Sequence, residues 1–179
     1  MTLLVKKKIH PILIALVFLL TWVWSLPVHS STLREKNWSG VVTYVIDGDT
    51  VKVRPPNGGK PISIRIEGID APEICQQGGT LSRNVLKRKA LGRQVQIRGK
   101  LNDKYGRLLA KIMLNGEDLG QWMVIEGQAW SYRYKKNPGP YIQEQRRAKV
   151  ARLGLFSLNQ SSTPIEPKNF RKRRGYCRF

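Results

Sequence analysis

Acidic residues are scarce in this chain. Only 12 Asp and Glu stand against 32 Lys and Arg, for a formal charge of +20. A field of that sign attracts polyanions, nucleic acid first and an anionic membrane surface second, and the imbalance is larger than solubility alone calls for. Histidine is scarcer still. His10 and His29 are the two present, and both precede Ser31, in a stretch that reads as a removable leader. Without them the chain cannot assemble a Ser-His-Asp triad, a His-pair ribonuclease mechanism or a His-ligated zinc site. Any general base must then be a carboxylate, a Lys or a Tyr. Cysteine occurs twice, at Cys75 and Cys177, too few for a zinc site alone. In an exported protein, two thiols so far apart suggest one disulfide, the alternative being two free thiols. Such a bridge would tie the C-terminal tail to the segment just after Glu73. It would add about 4–5 kcal/mol in the chain-entropy model for a loop of ~100 residues. No internal repeat is visible.

The leader is short and ordered by polarity. Lys6, Lys7 and Lys8 precede an unbroken apolar run from Ile12 to Leu20, which continues with one Thr to Trp24 and ends near the small residues Val28 and Ser30. This is the pattern of a secretory signal peptide over residues 1–30, cleaved after Ser30. The apolar core is shorter than the roughly 20 residues a spanning helix requires. A retained membrane anchor is the alternative. The expectation is a secreted or periplasmic protein with no stable membrane association once the leader is gone. Cleavage leaves a domain over 31–156, large enough for a real core, and a basic tail over 157–179.

Strands come first and helices after. Trp38 to Val45 is rich in β-branched and aromatic residues. Asp47-Gly48 supplies a turn, since Gly tolerates positive φ. Val51 and Val53 alternate with Lys52 and Arg54, and Ile62, Ile64 and Ile66 alternate with Ser63, Arg65 and Glu67, which sets the isoleucines on a core face. Val95 and Ile97 suggest a fourth strand and Leu108 to Leu114 a fifth. Helices are expected over Thr80 to Leu91, with Thr80 as N-cap, over Asp118 to Glu126, and over Tyr141 to Leu153. Ser157 to Pro167 reads as an extended tail, and Arg171 to Arg174 as a solvated charge run. Five short strands with a helix between the third and fourth predict an α+β, mainly β fold: a five-stranded Greek-key OB-fold barrel with three helices, of the kind that binds oligonucleotides on one face.

Against this basic background, four of the scarce acids sit in Asp47-Gly48-Asp49-Thr50 and Asp70-Ala71-Pro72-Glu73. Singly, each has an ordinary explanation as a turn former, a cap or surface. Together, Asp49 at a hairpin turn and Asp70 at the end of the next strand can approach in space. Two carboxylates with backbone carbonyls and water make a hard-oxygen site suited to calcium or magnesium. Pro72 holds Ala71 extended, which lets the Ala71 carbonyl aim at the same ion. Glu73 is near without needing to ligate, the position of a base acting on water. Arg65 and Arg107 add guanidinium groups that bind phosphate bidentately. A cation, two arginines and a free carboxylate are the parts of a phosphodiester hydrolase.

The segments Val45-Ile46-Asp47-Gly48-Asp49-Thr50-Val51, Arg65, Asp70-Ala71-Pro72-Glu73 and Asp103-Lys104-Tyr105-Gly106-Arg107 resemble the staphylococcal nuclease (thermonuclease) family, in order and spacing, from about Trp38 to Phe156. The resemblance implies calcium held by Asp49, Asp70 and the Ala71 carbonyl, Glu73 activating water, and Arg65 and Arg107 clamping the phosphate. It implies cleavage of DNA and RNA to 3′-phosphorylated nucleotides and oligonucleotides. Tyr132 and Tyr134 resemble the family's nucleotide-contacting tyrosines, their other role being packing beside Trp130; Lys104 and Tyr105 are expected as further substrate contacts, their other role being loop surface. Aromatics beside basic groups suit single strands, and the protein is expected to act as a monomer. The loop from Ile74 to Gly79 departs from the family, being short and carrying Cys and Gln, and the tail from Ser157 has no family counterpart. The competing reading is a non-catalytic nucleic-acid-binding OB-fold protein. None of Asp49, Asp70, Glu73, Arg65 and Arg107 is missing, which favours the enzyme.

Overall fold

The computed structural model describes residues 36–132, 134–157 and 164–177, which fall in one compact unit. The leader expected over residues 1–30 lies outside the described residues. Among the described residues, no helix is long and apolar enough to cross a membrane.

The barrel grows from alternating strands. Strand β1 (Lys36–Val45) turns into β2 (Thr50–Arg54), and β2 into β3 (Ile62–Ile66), all antiparallel. After β4 (Ile69–Asp70) and helix α1 (Gly79–Ala90), β5 (Gln94–Asn102) returns to the free edge of β1 and pairs antiparallel with β6 (Leu108–Leu114). A parallel pairing of β3 with β6, Ile64 opposite Leu108, closes the cylinder. The closed five-stranded OB barrel expected from the strand spacing is present. Closure leaves none of these five strands with a bare edge. β7 (Glu117–Asp118) extends β6, and β8 (Trp130–Ser131) pairs with β4.

Period-2 patterning decides which side chains fill the barrel. Leu108, Ala110, Ile112 and Leu114 point in while their neighbours point out. Val42, Val51, Val53, Ile64 and Ile97 meet them in one core. Ile62, at the start of β3, does not join it: it is 37% exposed, so only Ile64 and Ile66 of the three isoleucines are buried in the core. Leu86 and Ala90 of α1 close one end of the core, and Leu119, Met123 and Val124 of α2 (Leu119–Ile125) pack onto it elsewhere.

Among the described residues, four α-helices are present where three were expected. α1 begins one residue before Thr80, after Gly78 in a left-handed conformation, so Thr80 is not its cap. Asp118 does cap α2, accepting from the N–H groups of Gly120 and Gln121. α3 (Ile142–Val150) is shorter than its apolar pattern. The fourth helix, α4 (Pro167–Arg174), forms in the tail, with Pro167 in its first turn, where proline's missing N–H costs nothing.

Candidate active site

The hairpin between β1 and β2 places the first acid. Asp47 Oδ1 accepts from the Asp49 N–H at 2.9 Å, the Asx-type turn its sequence suggests. Gly48 is needed here for space rather than for positive φ. A Cβ at this position would collide with the Ser82 hydroxyl of α1 and stand 2.7 Å from Ala71 Cβ. Asp49 is only 2% exposed and ties three segments together. Its Oδ1 accepts from Thr50 Oγ1 at 2.8 Å, its Oδ2 from the Ala71 N–H at 2.8 Å, and its carbonyl from the Ile66 N–H at 2.8 Å.

Arg65 stands opposite Thr50 across the β2–β3 ladder, and that register aims it at both acids. Its Nη1 pairs closely with Asp49 Oδ1, and its Nη2 donates to Asp70 Oδ1 at 2.9 Å. One planar guanidinium therefore bridges two buried carboxylates, a geometry a lysine could not reproduce. Asp70, 4% exposed, is fixed by the pairing of β4 with β8. Pro72 then leads to Glu73, and two tight turns follow, Gln76 N–H to the Glu73 carbonyl at 2.8 Å and Gly79 N–H to the Gln76 carbonyl at 2.9 Å.

On the opposite wall, the turn between β5 and β6 is organised by Asp103. Its Oδ1 accepts from the N–H groups of Tyr105 and Arg107. Its Oδ2 takes Arg107 Nε at 2.8 Å and Nη2 at 2.7 Å. Arg107 Nη1 lies 3.4 Å from Thr50 Oγ1, so this arginine is braced against the Asp49 turn. Lys104 sits over the Tyr105 ring.

One cleft of about 940 Å³ is lined by Asp49, Arg65, Ala71, Glu73, Lys104, Tyr105, Arg107, Tyr132 and Tyr134, alongside Asp47. Asp70 joins it through its ion pair with Arg65. Tyr132 and Tyr134 are exposed along the cleft, while Trp130 is buried and packs edge-on against Phe156. Ala71 contributes its N–H to Asp49.

Two features escaped the sequence reading. Arg171 of α4 is not solvated: Nη2 donates to Asp70 Oδ2 at 2.8 Å, and Nη1 to Asp70 Oδ1 at 3.1 Å and to Glu73 Oε1 at 2.9 Å. Tyr176, one residue before Cys177, meets Tyr105 edge-on with ring centroids 5.9 Å apart. A disulfide joins Cys75 to Cys177, with 5.8 Å between their Cα atoms. The two cysteines were the one signal in the sequence that pointed to this end of the tail.

The electrostatics follow from burial. Burial and the adjacent Asp49 charge push the Asp47 carboxyl up to about 8. Burial opposes ionisation of Asp49 too, but the Arg65 charge and the Ala71 N–H outweigh it and hold that carboxyl below its ordinary value. Asp70 is raised by burial and by Asp49, against the hydrogen bonds from Arg171. A pocket with more buried carboxylate than it can comfortably ionise, neutralised by guanidinium groups, has the donor chemistry of a hard divalent cation site. Among the described residues, no group of three or more His, Cys, Asp and Glu is placed to hold a metal. Asp49 and Asp70 are the two carboxylates brought together, through Arg65.

A model of the family described as staphylococcal nuclease homologue matches residues 63–158, more than half of the chain. The chain belongs to the staphylococcal nuclease family. The matched stretch includes Arg65, Asp70 to Glu73, Lys104 to Arg107 and both cleft tyrosines; the Asp47–Thr50 turn precedes it. An "uncharacterized endonuclease" of Haemophilus influenzae is 34% identical over 146 residues, covering 82% of this chain and 79% of that protein. An "uncharacterized endonuclease" of Escherichia coli is 32% identical over 159 residues, covering 87% of this chain and 96% of that protein. The "micrococcal nuclease" of Shigella flexneri is 32% identical over 139 residues, covering 72% and 79%. Within this staphylococcal nuclease fold, Asp49, Glu73, Arg65 and Arg107 line one cleft, and the buried Asp70 is paired to Arg65.

Proposed function

We propose that this staphylococcal nuclease family member is an exported, calcium-dependent endonuclease that hydrolyses phosphodiester bonds of DNA and RNA. It prefers single strands, leaves 3′-phosphorylated products and acts as a monomer. The observation that carries the reading is the bridge of Arg65 between Asp49 and Asp70, in the same cleft as Glu73 and Arg107. Export is supported by the leader pattern and by a disulfide, a bond that persists in oxidising compartments.

Asp49, Asp70 and the Ala71 carbonyl are the residues that would hold calcium, which when bound supplies positive charge against the charge growing on the phosphate oxygens. Glu73, which stands partly open to the cleft where Asp49 and Asp70 are buried, takes the proton of the attacking water. Arg107 and Arg65 bind the phosphate and keep their charge through the transition state. Lys104 and Tyr105 line the same wall, and Tyr132 and Tyr134 offer exposed ring faces on which unpaired bases stack at about 1–3 kcal/mol each.

The test is release of acid-soluble product from denatured DNA and from RNA, with calcium, with magnesium and with chelator. Cleavage that needs calcium and stops with chelator supports the assignment. Tight binding without cleavage under every metal would replace it with a non-catalytic nucleic-acid-binding barrel.

A further inference from the structure

The tail reaches the cleft by a route that is fastened on both sides of Arg171. Before it, the Gln76 side-chain amide donates to the Ile165 carbonyl at 2.6 Å. After it, Tyr176 packs on Tyr105 and Cys177 is bonded to Cys75. Two of the three anchors on the domain side, Cys75 and Gln76, lie in the short loop that departs from the family pattern. Within the run Arg171 to Arg174, only Arg171 turns inward; its side chain is 17% exposed, while the next three residues are exposed. This guanidinium covers both oxygens of Asp70 and one of Glu73.

We propose that Arg171 is a further positioning residue of this site, which orders Asp70 and Glu73 before a metal arrives and which a divalent cation has to displace from Asp70. The inference rests on the metal-site reading above. A cation drawing on an Asp70 oxygen meets the like charge of a guanidinium already hydrogen-bonded to both Asp70 oxygens, which disfavours holding the two cations together. Metal binding is therefore an exchange, and its apparent affinity is set by how well Arg171 competes. The covalent tether makes that competition intramolecular, so the guanidinium stays at high effective concentration beside the carboxylates. The disulfide thus bears on metal affinity as well as on stability.

The test is calorimetric titration of the whole protein with calcium, without nucleic acid. Arg171→Gln is expected to bind calcium at least ten-fold more tightly than the unsubstituted protein. Arg171→Lys keeps a competing charge and is expected to fall within a few-fold of it. The Cys75→Ser/Cys177→Ser pair frees the tail end and is expected to lie between them, which also serves if Arg171→Gln folds poorly. A residue with a merely structural role would weaken calcium binding when replaced. Unchanged or weaker affinity in Arg171→Gln, with calcium binding still abolished by Asp49→Asn, overturns the inference alone. Calcium binding that survives Asp49→Asn undiminished removes the metal site, and the inference with it.

Discussion

Asp103 Oδ2 receives both Nε and Nη2 of Arg107, at 2.8 and 2.7 Å, so the arginine enters the cleft already oriented. Such pre-ordering matters because a displacement of about 1 Å in a reacting group can cost 10²-fold in rate. Arg107→Ala is expected to lower turnover by about 10²–10³, the usual loss when one transition-state donor is removed, and to weaken substrate binding. Asp103→Asn removes the ion pair but leaves Arg107 in place, and should cost roughly ten-fold. The double variant should be no worse than Arg107→Ala, since Asp103 acts through its partner. Single-turnover rates on an oligonucleotide check this; fully additive losses would show that Asp103 has a separate role.

Glu73 stands apart from the two buried aspartates in its partial exposure, and shares the Arg171 guanidinium with Asp70. Glu73→Gln keeps size and hydrogen-bonding capacity but cannot accept a proton. Turnover is expected to fall by orders of magnitude with little change in the binding of a single-stranded oligonucleotide. A rate within a few-fold of the unsubstituted enzyme would show that another group takes the proton.

The legible part of the site was the local part. Asp49, Asp70 and Glu73 stand in short motifs whose Gly and Pro advertise tight backbone, and Arg65 could be placed because a strand of alternating residues has only two faces. The barrel was readable for a similar reason: period-2 alternation marks the runs around Val51, Ile64 and Val95, and β-branched composition marks Trp38 to Val45. What depended on distant partners was not readable. Arg171 is separated from Glu73 by 98 residues and looked like one of 32 cations. No periodicity reports an ion pair of that span, and only the matching of two lone cysteines hinted at it. Gly48 was read as a φ choice because a local rule allows that, whereas its reason is Ser82, 34 positions on, which no local rule contains. Thr80 failed as a cap because Gly78 already supplies the left-handed turn that starts α1.

That packing of the hairpin against α1 yields a third prediction. Ser82 is fully buried and its hydroxyl donates to the Gln128 carbonyl at 2.8 Å, so it cannot swing aside. Gly48→Ala therefore forces backbone movement at the Asp47–Asp49 turn. Overpacking of this kind costs about 1–3 kcal/mol, and thermal unfolding should begin several degrees lower. Activity should fall further than stability alone accounts for, because the turn positions Asp49. Full activity in Gly48→Ala at a temperature where it remains folded would show that the turn tolerates the shift.

Asp47 gives the site a pH signature of definite sign. Its carboxyl is pushed from 3.8 up to about 8 by burial and by Asp49. In the unfolded chain the same group loses its proton near its ordinary value. Between about pH 4 and pH 8 the folded state therefore holds a proton that the unfolded state has released. Stability falls as pH rises through that window and levels off above it. Asp47→Asn removes the titration while keeping Oδ1 to accept from the Asp49 N–H and adding an N–H that can face the Asp49 carboxylate. In chelator, the variant should unfold at a higher temperature than the unsubstituted protein at pH 8, by an amount on the order of a few kcal/mol in stability, and the gap should close toward pH 5. Parallel melting curves from pH 5 to 8.5 decide it. A gap that stays constant with pH would mean that Asp47 is already ionised in the folded protein, with a neighbouring cation compensating it.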